Sequence, residues 1–174
     1  MDEVTQKAAA KHTCSRPVNT RTNTYDTRSE IPQTIRRIAI VGSREGVDPQ
    51  AVRAFVDRLD PLTTVVISGG AVGVDSVAAE HARKRKIRVV EIRPNWKKYG
   101  RVAGFHRNGE IVKCCDDIAA FWNGKSRGTL DTVKKGMKAN KPVALLDSGG
   151  NLLVASEYVP PPTMSSSIKT RNAR

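Results

Sequence analysis

A repeating alternation of short apolar runs with helix-length amphipathic stretches constrains this chain more than any other feature. Ile38-Ala39-Ile40-Val41 is a β-branched run that stops at Gly42-Ser43-Arg44. Pro49 then suits a first helical turn, and Val52, Phe55, Val56 and Leu59 form a helical stripe. Val65-Val66-Ile67 stops at Ser68-Gly69-Gly70, and a helix is predicted from Asp75 to Lys84, with Val77, Ala78, His81 and Ala82 along one side. The pattern continues with a strand over Ile87 to Ile92, ended by Pro94, and a helix over Ala103 to Lys113. A strand over Ile118 to Trp122, a helix over Thr129 to Lys138 and a strand over Pro142 to Leu146 follow, and Leu152 to Ala155 suits a short edge strand. Near-continuous rather than alternating apolar runs are what strands buried on both faces require. Strands separated by helices imply βαβ crossovers, hence an α/β fold with a mostly parallel sheet and helices on both faces, three layers in all.

The flanks read differently. Residues 1–34 are polar and broken by charges, which predicts a flexible leader; 35–159 form the predicted domain; Pro160-Pro161-Pro162 ends regular structure ahead of a basic tail over 160–174. No stretch approaches the roughly 20 apolar residues of a membrane span, and the start lacks the apolar core of a signal peptide. A cytoplasmic location with no membrane partner is the expectation. Cys14, Cys114 and Cys115 form no disulfide framework, and with His12, His81 and His106 they match no zinc spacing. Free thiols, no metal and no cofactor are expected. The formal charge of +13 attracts polyanions without saying which; self-association is left open.

In open α/β sheets the carboxyl ends of the strands face the ligand crevice. There this sequence places Gly42-Ser43-Arg44, the turn Ser68 to Asp75, the segment Glu91 to Trp96, and Asn123 to Thr129. Gly69, Gly70 and Gly73 allow a tight turn and close backbone approach to a ligand, with the next helix's free amides aimed at an anion. Asp75 suits either a helix cap or an acceptor for a ligand hydroxyl. Ser43 offers a hydroxyl and Arg44 a bidentate grip on phosphate, and Gly124, Ser126, Arg127, Gly128 and Thr129 repeat those ingredients. A Thr129 N-cap without any ligand also explains that last turn. Trp96 stands in a basic connection with Lys97, Lys98, Tyr99 and Arg101, suited to stacking on a base or to covering the sheet end. Arg107 and Asn108 look better suited to ligand binding than His106. The run Arg83 to Lys86, with Arg88, reads as a second phosphate patch or a solvated helix end.

In order, Ile38 to Arg44, Ser68 to Asp75, Gly104 to Asn108 and Ala120 to Thr129 resemble the SLOG superfamily, which joins DprA with the LOG-type lysine-decarboxylase-like proteins. The nearest look is to its YspA-type small nucleotide-binding domains of bacteria and phages. The resemblance implies a modified Rossmann-like domain that binds a nucleotide, a nucleotide derivative or a sugar phosphate, as a sensor or accessory module. DprA-like members bind single-stranded DNA; their Arg-Asn-Arg element is matched by Arg107-Asn108 but departs at Gly109. LOG-like members cleave nucleoside monophosphates with a Gly-Thr-x-x-Glu glutamate. Here that position is Thr132, which has no carboxylate, and Asp131 lies about 100° away around the helix. Glu80, Glu91 and Glu110 are other carboxylates near the rim. Binding of a nucleotide-derived small molecule without established catalysis is the expectation, with single-stranded nucleic acid as the alternative partner and a displaced-carboxylate hydrolase behind it.

Overall fold

The computed structural model describes residues 34–156. The leader read over 1–34 and the tail over 160–174 lie, save for Thr34, outside the described residues, as does Cys14.

Strand β1 (Arg36–Gly42) is followed by helix α1 (Pro49–Asp57), β2 (Thr64–Ser68), α2 (Val74–Lys84) and β3 (Arg88–Glu91). The short helix α3 (Trp96–Tyr99), a 3-10 turn (Gly100–Val102) and α4 (Ala103–Cys114) lead to β4 (Asp117–Phe121), α5 (Arg127–Lys138), β5 (Val143–Leu146) and β6 (Leu152–Ser156). The sheet order is β3-β2-β1-β4-β5-β6; every pairing is parallel except β5 with β6. This is the three-layer, mostly parallel Rossmann-like sheet that the alternation predicted. Its strand order reverses between β1 and β4, the switch point at which such sheets bind ligands.

The residues of each strand divide between two cores. Ile38, Ile40, Val66, Ala119 and Phe121 pack under α1 and α2, whereas Ala39, Val41, Ile67, Ile118 and Ala120 pack under α4 and α5. Phe121 is fully buried and meets Phe55 edge-on at 5.7 Å, tying the central strand to α1.

Most boundaries fall within one residue of the sequence expectation, and two larger departures have local causes. Helix α5 starts at Arg127, two residues before the expected Thr129, because Ser126 rather than Thr129 takes the cap and accepts from the Thr129 amide at 3.3 Å. The basic connection after Pro94 contains a helical turn, capped where Asn95 accepts from the Lys98 amide at 2.9 Å. Among the described residues no helix is long and apolar enough to cross a membrane. Nor does any group of His, Cys, Asp and Glu there have the arrangement to hold a metal ion. Cys115 is a buried free thiol, and burial pushes its pKa up to about 12.

Phe121→Ala removes the largest side chain of the central strand and leaves a cavity beside Phe55. Chemical denaturation should show a loss of about 3–5 kcal/mol in unfolding free energy.

Candidate functional site

The switch point opens into a cleft of about 540 Å³ between the ends of β1 and β4, the N-terminal half of α4 and the first turn of α5. Beneath it a single carboxylate gathers the turns. Asp75 accepts from the amide of Gly42 at 3.2 Å, of Gly69 at 3.1 Å and of Ala71 at 3.5 Å. One aspartate thereby fixes the β1 turn against the glycine turn after β2. It does not cap α2, whose N-cap is Gly73. Burial pushes the Asp75 carboxyl up, while Arg107 and these amides pull against that push.

Arg107 reaches this knot from α4. Its Nη1 lies 3.6 Å from Asp75 Oδ2 and donates to the Gly69 carbonyl. Burial lowers the guanidinium's pKa, Asp75 raises it, and the nearby charge of Arg44 lowers it again. The side chain is only 12% exposed, and its Nε is buried with no hydrogen-bond partner among the described residues. Two arginines that repel each other, one carrying an orphaned buried donor, are an arrangement that an anion relieves.

The glycine turn has a different use from the one its sequence suggests. A Cβ on Gly69 would strike the Arg107 guanidinium, and one on Gly73, where φ is +89°, would strike the Arg44 backbone. These glycines admit the protein's own arginines. Gly70 faces Arg93 and Glu91, and neither Gly69, Gly70 nor Gly73 lines the cleft.

The opposite wall is built from β4 and α5. Asn123 donates its amide to Ser43 Oγ at 3.1 Å, and its own Oδ1 accepts from the amides of Lys125 and Ser126, each at 3.0 Å. Ser126 Oγ then accepts from the Thr129 amide, and the Leu130 amide goes to Ser126 O. The amides of Arg127 and Gly128 are left ahead of the helical ladder, at the positive end of α5. Asn108, nearly buried, donates to Gly128 O at 3.2 Å and to Asp131 Oδ2 at 2.9 Å, holding α4 to α5.

Of the residues proposed from sequence, Gly42, Arg44, Asp75, Trp96, Arg107, Asn108, Ser126, Gly128 and Thr129 line the cleft. Ser43 and Ser68 are buried and brace the turns, with Ser68 Oγ donating to Asp75 O at 3.1 Å. Gly124 and Arg127 are exposed and do not line it. Glu45, Arg101, Phe105, Asn123 and Lys125 line it without having been singled out as ligand residues. An Asn two and three residues ahead of its amide donors is an Asx-turn signal, so Asn123 had a readable cue. Trp96 is 56% exposed at the mouth, and His106 stacks on Tyr99 at 3.9 Å.

The other expected features are engaged locally. Arg83 pairs with Glu91 at 2.6 Å and Lys84 with Glu80 at 2.7 Å, while Arg85 donates to the carbonyls of Val56, in the last turn of α1, and of Leu59 just beyond it. Thr132 lines the cleft but donates its hydroxyl to Gly128 O at 3.2 Å, and Asp131 is held by Lys135 at 2.6 Å and by Asn108.

The sequence pattern of the YspA, cpYpsA-related SLOG family matches residues 36–99. Among solved structures, the fold is similar to DprA from Streptococcus pneumoniae, with a TM-score of 0.56 and 18% identity over 64% of this chain and 50% of that one. It is also similar to DprA from Helicobacter pylori, described for its single-stranded DNA binding mode, with a TM-score of 0.52 and 20% identity over 65% of this chain and 66% of that one. A third is the protein TM1055, with a TM-score of 0.51 and 18% identity over 67% of this chain and 77% of that one. The chain spans about half the length of the pneumococcal protein. No curated protein matches it significantly. The resemblance to the SLOG superfamily is borne out, with the YspA-type pattern confined to the segment before α4.

Asp75→Ala leaves the Arg107 charge buried without its carboxylate and three turn amides without their acceptor. The expected cost is about 3–5 kcal/mol of folding free energy, read from denaturant midpoints against the parent.

Proposed function

We propose that this SLOG-type chain binds a nucleotide derivative through its phosphate, held at the switch point between Arg107, Arg44 and the first turn of α5. The observation that carries this reading is the orphaned Nε of Arg107, a buried donor on a residue that lines the cleft together with Arg44, Arg101 and Lys125. A charged donor without a partner is costly to bury, and a phosphate oxygen would supply the acceptor. The amide of Gly128, a cleft-lining residue in the first turn of α5, adds the anion preference of a helix start. Trp96 and Phe105, 56% and 47% exposed, offer apolar surface for a base at the mouth.

Single-stranded nucleic acid is the second reading, supported by exposed Trp96 amid Lys97, Lys98 and Arg101 and by the described binding of the Helicobacter relative. Salt separates the two, because phosphate-backbone binding weakens steeply with ionic strength and a buried charge-assisted contact does not. Arg107→Lys keeps a positive charge beside Asp75 but deletes Nε. In calorimetric titrations with nucleoside monophosphates it should lower affinity by roughly 1.5–3 kcal/mol, about ten- to a hundredfold. Arg44→Met, at an exposed position, should have a smaller effect. Binding that survives from low to high salt supports the pocket. Length-dependent oligonucleotide binding lost over the same series, without mononucleotide binding, reverses the order.

Catalysis is not part of this reading. A phosphate cradle needs backbone amides and arginines, whereas glycosidic cleavage needs a separate acid or base. Thr132 occupies the position of the LOG-type glutamate, and Asp131 is tied to Lys135 and Asn108. Purified protein incubated with nucleoside monophosphates should release no free base by chromatography. Turnover that disappears in Asp131→Asn would assign the displaced carboxylate and refute the non-catalytic reading.

A further inference from the structure

Among the described residues, Glu45 is the one acidic side chain lining the cleft that the fold leaves unengaged. Of the two carboxylates there, Asp75 is 3% exposed and already meets three amides and Arg107, so it is poorly placed to receive a ligand hydroxyl. Glu45 lies on the loop after β1, and among the described residues its carboxylate makes no hydrogen bond or ion pair. Its backbone is nonetheless fixed: Asn123 Nδ2 donates to Glu45 O at 2.9 Å, and the Asn123 amide returns to Ser43 Oγ. Gly46 follows at φ +72°, with Asn123 Cβ 3.5 Å from where its own Cβ would stand. The loop is therefore pinned across the switch point and presents Glu45 from a held backbone.

Glu45 is exposed, so its carboxylate is held by water in a cleft that Arg44, Arg101, Arg107 and Lys125 also line, and a ligand hydroxyl entering the cleft can take the place of that water. A second phosphate there would be repelled. A sugar's vicinal hydroxyls are donors that one carboxylate accepts together, as acidic residues do for ribose in dinucleotide folds. We infer that Glu45 reads the ribose hydroxyls of the bound nucleotide, so that the cleft selects ribonucleotides over 2′-deoxyribonucleotides. This rests on the phosphate-binding reading above. It also assigns the three parts of the ligand to three parts of the cleft: phosphate to Arg107 and the α5 amides, sugar to Glu45, base to Trp96 and Phe105.

The test titrates the four nucleoside 5′-monophosphates and their 2′-deoxy counterparts into the full chain and into Glu45→Gln. Each pair shares a base, so the ratio isolates the hydroxyl. The parent should prefer the ribonucleotide of its best-bound pair by about tenfold or more. In Glu45→Gln that ratio should fall at least about fivefold, with the deoxynucleotide holding its affinity or gaining it as the negative charge is removed. A merely structural role for Glu45 would shift both members together and leave the ratio unchanged, which overturns the inference. Equal parent affinities for ribo- and deoxynucleotide would overturn it too while leaving the phosphate reading standing. Absence of binding for every mononucleotide, with inorganic phosphate also silent, defeats both.

Discussion

The cleft exists because one buried aspartate replaces the hydrogen bonds that two sharp turns cannot make for themselves. The ends of β1 and β2 turn away from the sheet at Gly42 and Gly69, and their amides there point inward, away from water. Asp75 takes both, and the Ala71 amide besides. A carboxylate so placed needs a countercharge, and α4 provides it in Arg107. Each member is tolerable only because of the others: the turns need the carboxylate, the carboxylate needs the guanidinium, and the guanidinium needs the missing side chain at Gly69. What remains unsatisfied among the described residues is the Nε of Arg107, a residue that also lines the cleft. The site is thus the open end of a network that otherwise holds the central strands together.

That dependence explains what was legible in the sequence. Strands such as Ile38-Ala39-Ile40-Val41 and Val65-Val66-Ile67 announce themselves because burial on both faces demands apolar side chains at every position. The helix stripes follow from a single covered face. Their order then gave the fold, and the fold gave the rim. The glycine turn was also visible, but its purpose was not. Gly69 and Gly73 read as room for a ligand, whereas the room is filled by Arg107 and the Arg44 backbone. Nothing local distinguishes the two, since Arg107 lies 38 residues from Gly69 and meets it only through the packing of α4. Of the two uses read for Asp75, a helix cap or a ligand acceptor, the cap position belongs to Gly73, and the carboxylate gathers amides from two turns.

Residues missed altogether share a feature. Glu45 belongs to none of the segments read from the sequence, and Arg101, Phe105 and Lys125 lie in such segments without being picked out, because their place in the cleft depends on how neighbouring loops are pinned rather than on their own spacing. Asn123 is the exception. It precedes a Ser-capped helix at Asx-turn spacing, and its hydrogen bonds set the position of both the β1 loop and the α5 start.

The division between shared and particular parts of the site bears on how far a relative's ligand transfers. The YspA-type pattern ends at residue 99, so it covers the glycine turns, Asp75 and Glu45 but stops before Arg107, Asn108 and all of α5. The matched segment builds the frame, and the part beyond it supplies the orphaned donor and the helix-start amides. A protein sharing only the matched segment would keep the turns yet need another countercharge for its aspartate, and its cleft would be a different one. Under the proposed phosphate reading, ligand identity is therefore to be argued from Arg107 on α4 and the start of α5, together with Arg44 and Glu45 of the β1 loop, rather than from the glycines that make space beneath them.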